Sequence, residues 1–427
     1  MEHQAIVAGG IFLVAYALII AEKIHRTIIA MIGGLLLIFL GIVNQASALH
    51  HIDFNTLGLL AGMMIIVAIT AETGVFSYIA IAAAKKAKGA PVKILIYLGL
   101  ITAVFSAFLD NVTTVLLMVP ITFTITRKLN IHPEPYLLTQ IITSNVGGTA
   151  TLIGDPPNIM IGSAVQELSF MDFINNLAAI STLILVVTLF LLVLIYRNKV
   201  KTTEELKASL MALNELDELK DRKMLRTCLI VLGLTILGFF AHQALHLESA
   251  TVALGGAFLL LLFTSKSDHD LEHAFSKIEW PTLFFFIGLF VLVGGLIDTG
   301  IIGRLAQFAI ELTGGDTLIA STLIVWLSAI ASAFIDNIPF VATMIPLIQD
   351  MGLKGVGNLE TLWWSLALVA CLGGNGSLIG ASANLIVAGL AAQQGHKISF
   401  MRFLVIGFPL MIVSVIMANI YLYLRYF

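Results

Sequence analysis

"SAFLDNVTTVLLMVPI", residues 106–121, sets a carboxylate, Asp110, in the middle of a stretch that otherwise reads as membrane-buried. An ionised carboxylate at that depth costs on the order of several kcal/mol unless it is paired. The phrase nevertheless returns as "SAFIDNIPFVATMIPL", residues 332–347, with eight of the sixteen positions identical, Asp-Asn among them. Chance similarity between apolar helices would match Leu and Val instead. The same offset of 226 residues joins "GGTATLIGDPPN" at 147–158 to "GGNGSLIGASAN" at 373–384, and "IDFNTLGLLAGM" at 52 to "IEWPTLFFFIGL" at 278. It also pairs Glu72 with Asp298, each followed by Thr-Gly. The chain is therefore an internal duplication, read as a first repeat over 1–196, a linker over 197–225 and a second repeat over 226–427.

The composition says what kind of protein is duplicated. Of 427 residues, 59% are hydrophobic and 11% charged, and runs of about 20 apolar residues, the length a spanning helix needs, recur from end to end. The expected class is an all-α polytopic membrane protein embedded in a lipid bilayer. The first apolar run, 5–21, has no basic segment ahead of it and no small-residue cleavage site behind it, so it reads as a retained span. Two cysteines, Cys228 and Cys371, give neither a disulfide framework nor a metal pair. No phosphate-binding glycine loop is present, so ATP hydrolysis is not expected of this chain. No cofactor, metal or nucleic-acid partner is expected, and no polar catalytic cluster suggests an enzyme.

Each half reads as spans near 5–21, 27–43 and 57–73, an amphipathic stretch near 74–86, an apolar pair flanking Asp110, a Gly/Pro-interrupted span at 136–165 and a span at 174–196. The second half repeats this near 226–244, 249–264, 281–297, 318–350, 361–392 and 403–425. Whether each Asp-Asn pair is two spans or one re-entrant hairpin, it adds an even number of crossings. Five transmembrane helices per half remain, and an odd number inverts the second half relative to the first, which is a transporter signature. With the N- and C-termini outside and the linker cytoplasmic, 20 of 23 Lys and Arg residues, Lys23 and Arg26 included, face inward. The inner (plasma) membrane is the expected location. The linker alternates charge signs and reads as a solvated cytoplasmic helix.

Neither core contains a Lys or Arg by this reading, so the partner of Asp110 and Asp336 is expected to be a helix N-terminus, a bound cation or a proton. Both aspartates also suit the N-cap of a returning helix, a role compatible with ion binding. The Gly-Gly segments supply the second element, because unwound backbone is tolerated at membrane depth only where it lines a cavity or is buried in protein. Its carbonyls can coordinate a cation, while the half-helix opened by Pro156 and Pro157 aims N–H groups at a solute. Thr149, Thr151, Asn375 and Ser377 add neutral ligands. Asp155 is not repeated, since Ala381 stands at its counterpart, which suits a single coupling carboxylate in one half. Glu72 and Asp298 read as solvated caps at span ends. His242, His246, His269 and His273 have i, i+4 spacing but lack a zinc-site context, and Cys371 reads as a packing residue.

"SAFLDNVTTVLLMVP" together with "SNVGGTATLIGDPPNIMIGSA" resembles the ArsB/NhaD group of the ion transporter superfamily, which holds arsenite permeases, sodium/proton antiporters and the P protein. The resemblance covers nearly the whole chain. It implies two inverted repeats, each of five transmembrane helices plus a re-entrant hairpin, with broken helices at the midplane and elevator-type alternating access. It also implies that Asp110, Asn111, Thr113, Thr114, Asn145, Gly147, Gly148, Thr149, Thr151, Gly154, Asp155 and Asn158 line the substrate and ion sites. Their second-half mates are Asp336, Asn337, Gly373, Gly374, Asn375, Ser377, Gly380 and Asn384, and Asp110, Asp155 and Asp336 are the proton-coupling candidates. Where the dicarboxylate branch carries Ser-Asn-Thr at the hairpin tip, this chain has Asp-Asn. A cavity of carboxylates without a fixed cation repels a polyanion but accepts a proton, Na⁺ or a neutral hydroxide such as As(OH)₃. The leading expectation is proton-coupled efflux of arsenite or antimonite. Na⁺/H⁺ exchange is the runner-up and an anion permease of P-protein type the third. The partners expected are an inorganic ion or small neutral solute, with a homodimer and a soluble ATPase left open.

Overall fold

The computed structural model describes residues 2–21 and 23–427, and among them every regular element is helical. The first half holds α1 (Glu2–Ala21), α2 (Arg26–Phe39), α3 (Gln45–His51), α4 (Phe54–Glu72) and α5 (Val75–Lys86). The helix pair α6 (Pro91–Leu109) and α7 (Asn111–Lys128) follows, then α8 (Glu134–Gly148) and α9 (Pro156–Ala164) with an unwound segment between them. A last span joins α10 (Phe170–Phe173) through a π-turn to α11 (Ala179–Tyr196). The linker folds as α12 (Glu204–Met211) and a 3₁₀ turn at Glu215–Glu218. The second half runs α13 (Arg222–Ala241), α14 (Ser249–Thr264), α15 (Asp268–Ser276), α16 (Trp280–Asp298), α17 (Ile301–Thr313), α18 (Thr317–Phe334), α19 (Asn337–Leu353), α20 (Leu359–Gly373), α21 (Ser382–Gln393) and α22 (Phe400–Tyr426). The chain is an all-α multi-pass membrane protein of two inverted repeats.

The inversion can be read from end-to-start contacts between α4 and α16, which are repeat mates. Glu72 closes α4 and bonds His273 of α15, just ahead of α16, at 2.7 Å. Asp298 closes α16 and bonds His51 of α3, just ahead of α4, at 2.9 Å. The end of each helix lies beside the start of the other, so the two run antiparallel. Glu72 and Asp298, expected as solvated caps at span ends, are exposed there and also bond histidines. The early helices are exchanged between halves. Thr27 at the start of α2 donates to the Pro281 carbonyl of α16 at 2.7 Å, and the Ala250 N–H of α14 donates to Asn55 Oδ1 of α4 at 2.8 Å.

Several expectations need adjusting. Among the described residues, eight helices are long and apolar enough to cross a bilayer, and α6 and α18, the first arms of the Asp-Asn pairs, are among them. The second arms contain Pro120 and Pro346, which cost an internal hydrogen bond each. The span expected at 27–43 stops at Phe39, where Gly41 turns the chain at φ +66° into the short α3. The linker is not a single solvated helix. Leu210 is fully buried, Lys85 binds Glu215 at 2.5 Å, and the Lys220 N–H donates to the Thr73 carbonyl at 3.1 Å, so the linker is docked on the ends of α4 and α5. The Lys85 ammonium holds the Glu215 carboxyl below the usual carboxylate range.

With lipid tails as apolar as leucine, helices associate by close packing, and small residues let backbones approach. Gly62 and Gly288 occupy equivalent positions on α4 and α16. A Cβ at Gly62 would lie 2.6 Å from the Ala253 carbonyl carbon of α14, and one at Gly288 would lie 2.5 Å from that of Ala30 on α2. Gly255, on α14 but facing open space, has nothing within 4 Å of its Cβ direction. Gly62→Ala and Gly288→Ala should each destabilise the protein by about 1–3 kcal/mol through overpacking, whereas Gly255→Ala should leave it unchanged or slightly firmer. Thermal melting in detergent checks this: equal melting temperatures for all three variants would contradict the packing account.

Candidate functional site

Each helix pair turns at its aspartate. Asp110 caps α7, its Oδ1 accepting the Thr113 N–H at 2.8 Å and its Oδ2 accepting the Thr113 hydroxyl at 2.7 Å. Its backbone sits at φ +72°, a region that costs a non-glycine residue roughly 1–3 kcal/mol and persists where the surroundings over-determine it. Asp336 caps α19 through the Ile338 N–H at 3.1 Å, without that strain. Both carboxylates are buried.

The unwound segments meet these tips. α8 ends at Gly148 and α9 opens at Pro156, while α20 ends at Gly373 and α21 opens at Ser382. A repeat-related asparagine clamps each gap: Asn158 Nδ2 donates to the Thr149 and Thr151 carbonyls at 3.2 and 2.9 Å, and Asn384 Nδ2 to those of Gly374 and Ser377 at 2.8 and 2.9 Å. The Thr151 and Ser377 hydroxyls tie the gaps to the hairpins by donating to the Ala107 and Ala333 carbonyls. Thr149 instead caps the carbonyl of Asn145 at 2.8 Å. Gly147 is required by the close approach of α6, since a Cβ there would fall 2.1 Å from the Ala103 oxygen. Gly148 and Gly154 face each other across the first gap, as Gly374 and Gly380 do across the second.

An amide network then crosses between halves. Asn111 Nδ2 donates to Asn145 Oδ1 at 3.0 Å, and Asn145 Nδ2 reaches Asn375 Oδ1 at 2.9 Å and Asn384 Oδ1 at 3.0 Å. Asn375 returns a bond to the Ile142 carbonyl at 3.3 Å, and Asn337 Nδ2 approaches Asp155 Oδ2 at 3.4 Å. Asp155 lies within electrostatic reach of both Asp110 and Asp336. The chosen side chains are thus gathered at one place where the repeats meet, with Cys371 Sγ buried 3.8 Å from Asn158 Oδ1. Among the described residues, buried oxygens there without a partner are Asn111 Oδ1, Thr114 Oγ1 and Asp155 Oδ1 in the first half and Ser332 Oγ, beside Gly373, in the second. Buried polar groups are nearly always bonded, so such a cluster marks a place built for something else to bind.

The expectation that no basic side chain enters either core is corrected. Arg26, the first residue of α2, donates from Nη1 to Asp336 Oδ2 at 2.6 Å and to Ser382 Oγ at 2.6 Å, and Ser382 Oγ bonds the same carboxylate oxygen at 2.7 Å. The guanidinium lies over the Phe285 ring of α16, 4.7 Å from its centroid. Counting charges by segment placed Arg26 in a cytoplasmic loop. Its long stem carries the charge inward from a helix start that the exchange of helices sets beside α16. No periodicity signals this, since the pair spans 310 residues.

A cavity of about 400 Å³ is lined by Arg26, Asp110, Pro156, Glu279 and Ser382. A smaller one, about 250 Å³, adjoins Asp336 and Arg26, and a third of about 350 Å³ extends past Thr113 and Glu279 to Glu72 and Lys277. Because Thr73 accepts from linker residue Lys220, this route opens on the linker side. Glu279 was not anticipated. Its mate Asp53 is spent capping α4, accepting the Asn55 and Thr56 N–H groups at 3.0 and 3.1 Å, whereas Glu279 makes no cap bond.

Comparison with known proteins agrees with this architecture. Residues 16–369 match the family model described as Citrate transporter (CitMHS). An uncharacterized transporter of Mycobacterium tuberculosis is 41% identical over 430 residues, covering 99% of both chains. The P protein of Homo sapiens is 37% identical over 504 residues that cover 99% of this chain and 60% of that protein, so this chain spans about 60% of the length of that relative. Among solved structures, the YdaH transporter of Alcanivorax borkumensis shares the fold with a TM-score of 0.61 at 14% identity over 98% of this chain and 97% of its own. MtrF of Neisseria gonorrhoeae, from a class of antimetabolite efflux pumps, does so with a TM-score of 0.59 at 13% identity over 88% and 83%. With its broken helices, its buried acidic cluster and these relatives, the chain is a membrane transporter and belongs to the citrate transporter family.

Proposed function

We propose that this protein is a cation-coupled secondary transporter of alternating, elevator-type access, and that its solute is a small neutral hydroxide of the arsenite or antimonite type, exported against protons. The observation that carries the reading is the charge balance of the pocket: Asp110, Asp155 and Asp336 are buried near one another, Glu279 lines the same cavity as Asp110, and the guanidinium of Arg26 pairs with Asp336. Fully ionised, such a site holds an excess of negative charge that the interior cannot tolerate. Protons or Na⁺ restore neutrality, and a neutral solute adds no charge to the load. The unpaired oxygens of Asn111, Thr114 and Asp155 are acceptors suited to O–H donors or a cation. The orientation that suits this reading has both termini outside and the linker in the cytoplasm, which makes the described conformation open to the cytoplasm.

A second reading, an anion permease, is favoured by one feature. Arg26 faces the same cavities as Asp110 and the start of α21, and with coupling cations bound, an anion could share its guanidinium. The family description points the same way. In that case the carboxylates are the co-ion sites and the solute reaches Arg26 and Ser382.

Proteoliposomes with an imposed pH gradient separate these readings. Gradient-driven arsenite or antimonite flux that saturates is the expected result. A pH response evoked by Na⁺ or Li⁺ without arsenite flux would assign Na⁺/H⁺ exchange, and gradient-driven citrate uptake would assign the anion reading. Asp110→Asn and Asp155→Asn, each removing one ionisable group without changing side-chain size, should lower the coupled initial rate by roughly tenfold or more at unchanged protein content. Retention of pH-coupled flux by Asp110→Asn would reduce that residue to a helix cap.

A further inference from the structure

The half-sites are unequal, and their two departures from the repeat act in one direction. Asp155 belongs to the first half, where Ala381 is its counterpart, and Arg26 reaches the aspartate of the second half, whereas the helix start equivalent to it, on α14, carries Ser249. Ser249 bonds Asn55 at 3.3 Å and has no charge to offer Asp110. Among the described residues, Asp110 and Asp155 form no ion pair, and Asp336 forms one, with Arg26 at 2.6 Å. Two carboxylates without a cation thus face one carboxylate that has its own.

The guanidinium is also held as a ligand would be. One Nη1 bridges Asp336 Oδ2 and Ser382 Oγ, the first residue of α21, and Phe285 lies beneath the charge. Because Thr27 fastens the start of α2 to Pro281 of α16, the arginine is anchored outside the hairpin whose tip it neutralises. The Asp336 carboxylate and the Ser382 hydroxyl are oxygen ligands of the kind a small cation takes, whereas the start of α21 beside them presents N–H groups. Here the space is taken by a side chain.

We infer that Arg26 is a tethered cation occupying the cation site of the second half, so that the exchangeable coupling cation is taken in the first half alone, by Asp110, Asp155 and the unpaired oxygen of Asn111. This rests on the proposed reading of the aspartate tips as cation sites. It makes Arg26 the residue that sets how many cations the transporter loads: removing its charge opens a second site, and restoring it as lysine closes that site again.

The test needs no transported solute. Thermal melting of the purified full chain in detergent is followed against NaCl, with choline chloride as control, at pH 8.5, where protons compete least for a carboxylate. A ligand that binds the folded state raises the melting temperature with its concentration. Arg26→Gln should gain a Na⁺-dependent rise of roughly 2 °C beyond the wild-type response. Arg26→Lys should keep the wild-type response, and the double variant Arg26→Gln/Asp336→Asn, with charge removed from both partners, should fold and lose the gain. Arg26→Gln with no added Na⁺ response, or the same gain in the double variant, would overturn the inference. Asp110→Asn reports on the underlying reading: if it leaves the wild-type Na⁺ response intact while Arg26→Gln still gains one, the first-half site fails and the tethered cation stands.

Discussion

A carboxylate in a low-dielectric interior must be neutralised or bonded on every side, and the centre of this molecule is arranged around that requirement. Asp110 is met by the N–H and hydroxyl of Thr113 at the start of α7, so the turn of the helix pair and the solvation of its charge are one structure. Asp336 is met by a guanidinium and a serine. Asp155 has one oxygen near Asn337 and one with no partner. The three differ in how completely the protein satisfies them, and the least satisfied is the one that sits in the gap between two half-helices.

The inverted repeat brings those groups together and is held in place by an exchange of helices. α2 lies along α16 and α14 along α4, each crossing made close by a glycine, Gly62 or Gly288, whose Cβ would overlap the opposing backbone. Capped starts meet at both crossings, through Thr27 and Pro281 on one side and Ala250 and Asn55 on the other. This frame is tied across the repeats at both ends by histidine–carboxylate contacts, whereas the gaps are tied to their own hairpins by Thr151 and Ser377. Contacts within each hairpin-and-gap unit are dense, and those joining it to the exchanged helices are few, Arg26 to Asp336 and Tyr16 to the Pro339 carbonyl among them. That division is what a movement of one unit against the other requires.

The duplication, the helical class, the inversion and the meeting of Asp-Asn with Gly-Gly were all legible in the sequence, because a constant offset and a period of apolar runs survive without knowledge of contacts. Arg26 was not legible, since hydropathy assigns a residue to a segment and says nothing of where a long side chain ends. Asn145 was carried only as part of a motif. Its repeat mate is Cys371, so the comparison of halves hid that it is the hub joining Asn111, Asn375 and Asn384. The short helices α3 and α15 escaped because seven to nine residues give too little periodicity, and the docking of the linker escaped because its charge pattern also fits a solvated helix.

The divergence of the halves has an electrostatic consequence on the proposed reading. With Asp110, Asp155, Asp336 and Arg26 all ionised, the unloaded hairpin tips and the guanidinium beside them hold an excess of two negative charges, and each unpaired charge costs of the order of several kcal/mol after relaxation. Loading cations in the first half removes that excess, and movement of the hairpin unit past the frame also has to part Asp336 from Arg26, which Thr27 keeps on α16. A symmetric pair of half-sites, each with one bare aspartate and no arginine, would reach neutrality with the same two cations, one in each half. The arginine therefore removes the need for a cation in the second half while the extra aspartate adds one in the first, so the number is unchanged and the ions are concentrated on one side of the repeat axis, next to the unpaired oxygens of Asn111 and Asp155.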